Sequence, residues 1–261
     1  MKTVKSVKKS LLRAALLVVF LGSTAATAMQ AQDRNSDVQI QEQLTKTLNN
    51  KRFSGVQSSV KSGEVTLTGT VDVYSAKEDA DRRVHRTKGV VGVRNMIEVS
   101  STTKLSDTEL RDKLAEKIAY DRVGYGTTAF NSFTIGVQDG VVTLGGVAYG
   151  PTDKDSALSI ASNYPGVKDV IDNIEVAPVS LMDDRIRLDV ARAVYGFPSL
   201  NKYAIDPAKP IRITVVSGNV TLNGIVNNQS DKDAAGIRAN GVSGVFKVTN
   251  SLQVAGQKSE Q

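Results

Sequence analysis

One feature constrains this chain more than any other: a period of 77 to 78 residues that runs through almost its whole length. A decapeptide recurs as Ser62-Gly-Glu-Val-Thr-Leu-Thr-Gly-Thr-Val71, Asp139-Gly-Val-Val-Thr-Leu-Gly-Gly-Val-Ala148 and Ser217-Gly-Asn-Val-Thr-Leu-Asn-Gly-Ile-Val226. Twenty-six residues after the first glycine of each comes a second block, Gly89-Val-Val-Gly-Val-Arg-Asn-Met-Ile-Glu-Val99, Gly166-Val-Lys-Asp-Val-Ile-Asp-Asn-Ile-Glu-Val176 and Gly244-Val-Phe-Lys-Val-Thr-Asn-Ser-Leu-Gln-Val254. A repeat of this length is one small domain, so the chain must solve a single folding problem three times.

The hydrophobic periods say what the unit is. Alternating runs end at Val60, Val137 and Val215, which is the period-two pattern of a half-buried strand. Each is followed by Ser-Gly or Asp-Gly and then by the Val-Thr-Leu strand, which predicts an antiparallel hairpin closed by a tight turn. Ser75, Thr152 and Ser230, with Glu78, Asp155 and Asp233 three residues on, read as the N-caps of a second helix. Its buried face carries Ala80 and Val84, Ala157 and Ala161, or Ala235 and Ala239. The Gly-Val block ends that helix and begins a third strand. Ahead of each hairpin lies another amphipathic helix, marked by Ile40, Leu44, Leu48, by Leu110, Leu114, Ile118, and by Ile186, Val190, Val194. The expected fold class is α+β: three tandem small α-β-β-α-β domains, each a mixed three-stranded sheet covered by two helices.

Residues 1–28 have the parts of a secretory signal: a basic start, an apolar run from Ala14 to Leu21, and Ala26-Thr27-Ala28 as the cleavage site. The run is far shorter than the roughly 20 residues that span a bilayer. The expected product begins near Met29, is periplasmic, and has no transmembrane segment once the signal is removed; an uncleaved N-terminal anchor is the alternative. Residues 29–35 form a short linker, 36–100, 105–177 and 181–255 the three domains, and 256–261 a tail. With no cysteine in the chain, each domain rests on its own core without disulfides. The second and third copies carry insertions between first helix and first strand, at 120–132 and 195–210, where functional differences among copies are expected.

Charge is uneven. Residues 29–104 have 12 basic against 9 acidic side chains, 105–180 have 6 against 11, and 181–261 have 10 against 7. Without the five basic residues of the signal segment the remainder is nearly neutral, and so balanced a mature chain, with no tryptophan, is a poor nucleic-acid binder. No phosphate loop, zinc-helix motif, nucleophile elbow or thiol is present, so no catalytic residues and no cofactors are assigned.

The two blocks and the alanine-rich helix between them resemble the BON domain, named for bacterial OsmY and nodulation proteins, over nearly all of residues 36 to 255. The resemblance implies a non-catalytic periplasmic module, similar to osmotic-stress and outer-membrane-associated proteins that contact anionic phospholipid; other relatives bind potassium or sit in secretin assemblies. The expected partners are therefore anionic phospholipid or outer-membrane assembly machinery. The alternatives are a chaperone-like module that binds envelope proteins through sheet edges, and a potassium sensor.

Two sets of side chains are candidates for contact. Arg82, Arg83, Arg86 and Lys88 cluster at the end of the second helix of the first copy; they suit lipid phosphates or complement the helix dipole. Tyr125, Phe130, Phe197 and Tyr203, in the two insertions, suit a membrane or a partner, or they plug the core. His85 alone cannot make a metal site, and Asp183, Asp184 and Asp189 read as dipole partners at a helix start.

Overall fold

The computed structural model describes residues 36–256 except 101, 102, 104, 122, 124, 125 and 208. The first repeat contains α1 (36–47), β1 (Val56–Lys61), β2 (Glu64–Val71), α2 (Tyr74–His85), β3 (Gly92–Asn95) and β4 (Glu98–Val99). The second contains α3 (Asp107–Asp121), β5 (Ser132–Gln138), β6 (Val141–Ala148), α4 (Pro151–Ser162) and β7 (Asp169–Val176). The third contains α5 (Leu181–Tyr195), β8 (Arg212–Val216), β9 (Asn219–Val226), α6 (Gln229–Asn240) and β10 (Lys247–Val254). In every repeat the second hairpin strand is central, antiparallel to its hairpin mate and parallel to the returning third strand. β3 and β4 are one such third strand, broken at Met96 and Ile97. The fold is three tandem α+β domains. The first repeat is one compact unit, and the second and third together form the other.

Each core is the same sandwich of one sheet face and two helices. Val65 and Leu67, Val142 and Leu144, and Val220 and Leu222 point inward from the central strands. They meet the aliphatic rows of α1, α3 and α5 and the alanines of α2, α4 and α6, whose small side chains let those helices lie close. Ser62, Asp139 and Ser217 have φ of 53°, 52° and 50°, and the glycines after them 78°, 79° and 75°. Two consecutive left-handed residues make the turn whose twist matches a hairpin. Gly146 is required for a second reason: at φ 90°, a Cβ there would lie 2.0 Å from the Ser132 carbonyl oxygen.

The turns are clamped from outside. Asp37 accepts the amides of Ser62 and Gly63 at 2.7 and 2.8 Å, Asp107 those of Asp139 and Gly140 at 2.7 and 3.0 Å, and Asp183 those of Ser217 and Gly218 at 2.9 and 2.8 Å. Each aspartate sits at the start of the preceding helix, so one carboxylate ties that helix to the hairpin. The role of Asp183 is thus more specific than that of a dipole partner.

The second helices start earlier than their hydroxyls suggest. Gly150 and Asn228 are the N-caps of α4 and α6, and Asn228 accepts the Asp231 amide at 2.8 Å. Thr152 and Ser230 lie inside the first turn, as does Ser75 in α2. The first-turn acids are consequently Asp153 and Asp231, not Asp155 and Asp233. In α6 an asparagine reaches the third amide as well as a hydroxyl does, and it wins the cap; in α4 a glycine stands before Pro151, whose fixed φ suits the first helical position.

A shared device also fixes the third strand. Asn95 and Asn250 accept the amide two residues on and donate to the carbonyls of Lys77 and Lys232 in the overlying helices. In the middle repeat Asp172 takes the same place: it accepts the Ile174 amide and pairs at 2.8 Å with Lys154, whose ammonium also donates to the Ile174 carbonyl.

Candidate functional site

In the first repeat, the C-terminal turn of α2 lies beside the C-terminal half of α1. Between them runs an open groove of about 480 Å³ lined by Lys46, Thr47, Arg83, Arg86, Thr87 and Lys88 with Gln43. The hydrophobic rows of the two helices bury Leu44, Leu48, Ala80 and Val84, which turns the cationic residues outward to the groove. Three of the four cations expected from the sequence come together here. Arg82 does not line it: it donates to Asp79 at 2.8 Å. The hydrogen bond from Arg82 holds the Asp79 carboxyl below its ordinary value, against an opposing push from burial, and Arg83 and Arg52 add to the lowering. Arg83 lies 3.5 Å from the same carboxylate and 5.4 Å from the centroid of the buried Phe53 ring, so its stem is fixed. Lys46, which sequence reasoning missed, completes the set because residue 46 and the end of α2 meet only in three dimensions. Among the described residues Lys46, Arg86 and Lys88 have no carboxylate partner. His85 turns to the Asp81 carboxylate, 3.1 Å away.

The aromatic candidates are dispersed. Tyr125 lies outside the described residues. Tyr203 is 6% exposed; its hydroxyl donates to Asp231 at 2.7 Å and accepts the Asn227 amide at 2.7 Å. That burial corrects its reading as a surface contact: the ring plugs the third core. Phe197 packs on the same core with the Arg238 guanidinium 4.1 Å from its centroid. Phe130 also packs on the third repeat's core although it belongs to the second repeat. It stands in the 3-10 turn Thr128–Phe130, against which the edge strand β8 rests, so its face is taken inside the molecule.

That turn organises the join between the second and third repeats. Arg187 of α5, 2% exposed, has its guanidinium 4.7 Å from the Tyr149 centroid and 5.9 Å from that of Phe130, and it bonds to Asp184 and, at 3.1 Å, to the Val215 carbonyl. Arg212 of β8 donates from Nη1 to the carbonyls of Thr128 and Asn131 at 3.1 and 3.0 Å. Burial pulls its guanidinium below the ordinary value, with Tyr195 opposing. Each insertion is also tied to its own helix by a buried first-turn acid. Asp153 accepts from Thr127 at 2.8 Å and Asn131 at 3.0 Å. Asp231 accepts from Lys202 and Tyr203, both at 2.7 Å.

Among the described residues no group of three or more His, Cys, Asp or Glu is placed to hold a metal, and no helix is long and apolar enough to cross a membrane. The signal-like segment, residues 1–28, lies outside them.

The family model for the BON domain matches residues 36–101, 106–178 and 199–256. A protein of Anaplasma centrale, described as an uncharacterized protein in the gshII 5' region, is 28% identical over 125 residues, covering 48% of this chain and 83% of its own length. Among solved structures, CdsD, a structural protein of the type III secretion system of Chlamydia trachomatis, is 14% identical with a TM-score of 0.23, over 81% of this chain and 90% of that one. A second, of the CdsD C-terminal domain, is 13% identical with a TM-score of 0.22, over 81% and 94%. At those scores neither carries an argument about this chain.

Proposed function

Because the chain belongs to the BON domain family, whose members are envelope-associated and generally non-enzymatic, we propose that it is a non-catalytic periplasmic protein that docks on anionic phospholipid through its first repeat. The observation that carries this reading is the groove where Lys46, Arg83, Arg86 and Lys88 converge, three of them without a carboxylate partner among the described residues. Cations held near one another at a helix end meet phosphate oxygens without first breaking ion pairs. Each basic residue near an anionic surface is worth about 1 kcal/mol, so the groove supplies enough for peripheral, reversible attachment. The paired Arg82 contributes less. A role in osmotic stress or beside outer-membrane assembly machinery fits such attachment.

Co-sedimentation of the chain from Met29 onward with phosphatidylglycerol vesicles and with phosphatidylcholine vesicles tests this. Binding to the anionic vesicles alone is expected, lost as salt rises, and weakened about a hundredfold by the combined Lys46→Ala, Arg86→Ala and Lys88→Ala change, which removes about 3 kcal/mol at 1 kcal/mol each. Equal binding of that variant, or none by the unaltered protein at any salt, overturns the reading.

A further inference from the structure

The third repeat encloses a larger space, separate from the groove of the first. A cavity of about 580 Å³ lies between the insertion and the uncovered face of the sheet, within the range of small-molecule sites. Its wall is made by Lys202, Tyr203, Asp206, Lys209 and Pro210, from an insertion that the first repeat lacks. Its floor is β9, where Gly224 has φ 130° and a Cβ would stand 2.7 Å from the Pro210 carbonyl oxygen. The glycine lets the Pro210 backbone close directly onto β9, which fixes where the wall meets the floor.

The lining is divided in kind. Pro210, Gly224, Ile225 and Ala255 form an apolar part, and Ile225 is 59% exposed on the sheet face away from the helices. The charged part has an excess of cation. Lys202 is paired with Asp231, and Asp206 accepts the Tyr120 hydroxyl at 3.2 Å. Lys209 and Arg212 have no carboxylate partner among the described residues. Arg212 spends Nη1 on two neutral carbonyls, while its Nε and Nη2 have no protein acceptor among them. A half-buried guanidinium uncompensated by an anion attracts one.

We propose that this cavity binds a short amphipathic anion, its charged group held by Arg212 and Lys209 and its aliphatic body laid on Pro210, Ile225 and Ala255. The site stands whether or not the first repeat binds lipid.

The test is a titration of the chain from Met29 onward with hexyl phosphate, followed by amide chemical shifts, with hexanoate, hexanol and inorganic phosphate as comparisons. Saturable shifts confined to Lys209, Ile225, Ala255 and their neighbours are expected with hexyl phosphate or hexanoate, at least tenfold tighter than with hexanol or inorganic phosphate. Lys209→Gln, at a position that leaves the core untouched, should weaken binding about tenfold, the loss of one charge-assisted bond. Arg86→Gln in the first repeat should change nothing. The proposal is overturned if the shifts do not saturate, if hexanol or inorganic phosphate binds as well as the amphipathic anions, or if Lys209→Gln leaves the affinity unchanged.

Discussion

Asp153 and Asp231 are the third residues of α4 and α6, and the first repeat has Ala76 at the same place. The exchange follows the insertions: where a loop was added, a buried carboxylate ties it to the helix; where none was, alanine packs. Burial pushes the Asp231 carboxyl up, but Lys202, Tyr203 and Asn228 outweigh it and hold the group below its ordinary value. A depressed carboxylate stabilises the fold above its unfolded pKa of about 3.9 and loses that contribution as pH falls through the lower folded value. Asp231→Asn should therefore lower stability by about 2 kcal/mol at neutral pH and flatten the fall in urea midpoint between pH 6 and pH 3. An unchanged pH profile would show that Asp231 is not the group responsible. This role was hard to read in the sequence. Tyr203 in a polar loop looks like a surface anchor until its hydroxyl is seen turned inward, and Asp233, three residues after Ser230, looks like the capping acid until Asn228 is seen to take the cap.

At the scale of elements the sequence was far more legible, because three copies of one pattern expose what a single copy hides. The hairpins, both helices and the third strand follow from periods of two and 3.6 and from turn glycines. α5 could be placed from Ile186, Val190 and Val194 although the family match of the third repeat begins only at 199. What the periods do not show is the clamp, since Asp37, Asp107 and Asp183 lie 25 to 34 residues before the turns they bind. Asp183→Ala should cost the unit of the second and third repeats about 3 kcal/mol, because it strands a buried Gly218 amide along with that of Ser217. Asp37→Ala should cost the first unit about half as much, since its carboxylate is less buried than that of Asp183 and water replaces more of its bonds to the Ser62 and Gly63 amides. Urea unfolding followed by circular dichroism distinguishes the two; equal losses would mean that burial does not set the worth of the clamp.

For the whole molecule, equal repeats in sequence do not give equal partners in space: the second and third form one unit and the first another. That grouping left no pattern to read, because it depends on Arg187 lying over two rings and on Arg212 reaching backbone carbonyls. Calorimetry should show two transitions. Arg187→Ala, which empties the space over Tyr149 and Phe130, should split the larger into separate meltings of the second and third repeats while leaving the other in place. A larger transition that stays single would place the coupling elsewhere. The lysines at 77, 154 and 232 add a historical dimension. All three copies keep lysine there, but only in the middle one does the ammonium serve, answering Asp172 where the others have asparagine. The outer copies thus already hold the counter-charge for the same exchange, and a duplicated module can cross from amide to ion pair in a single substitution, with no unfit intermediate between the two wirings.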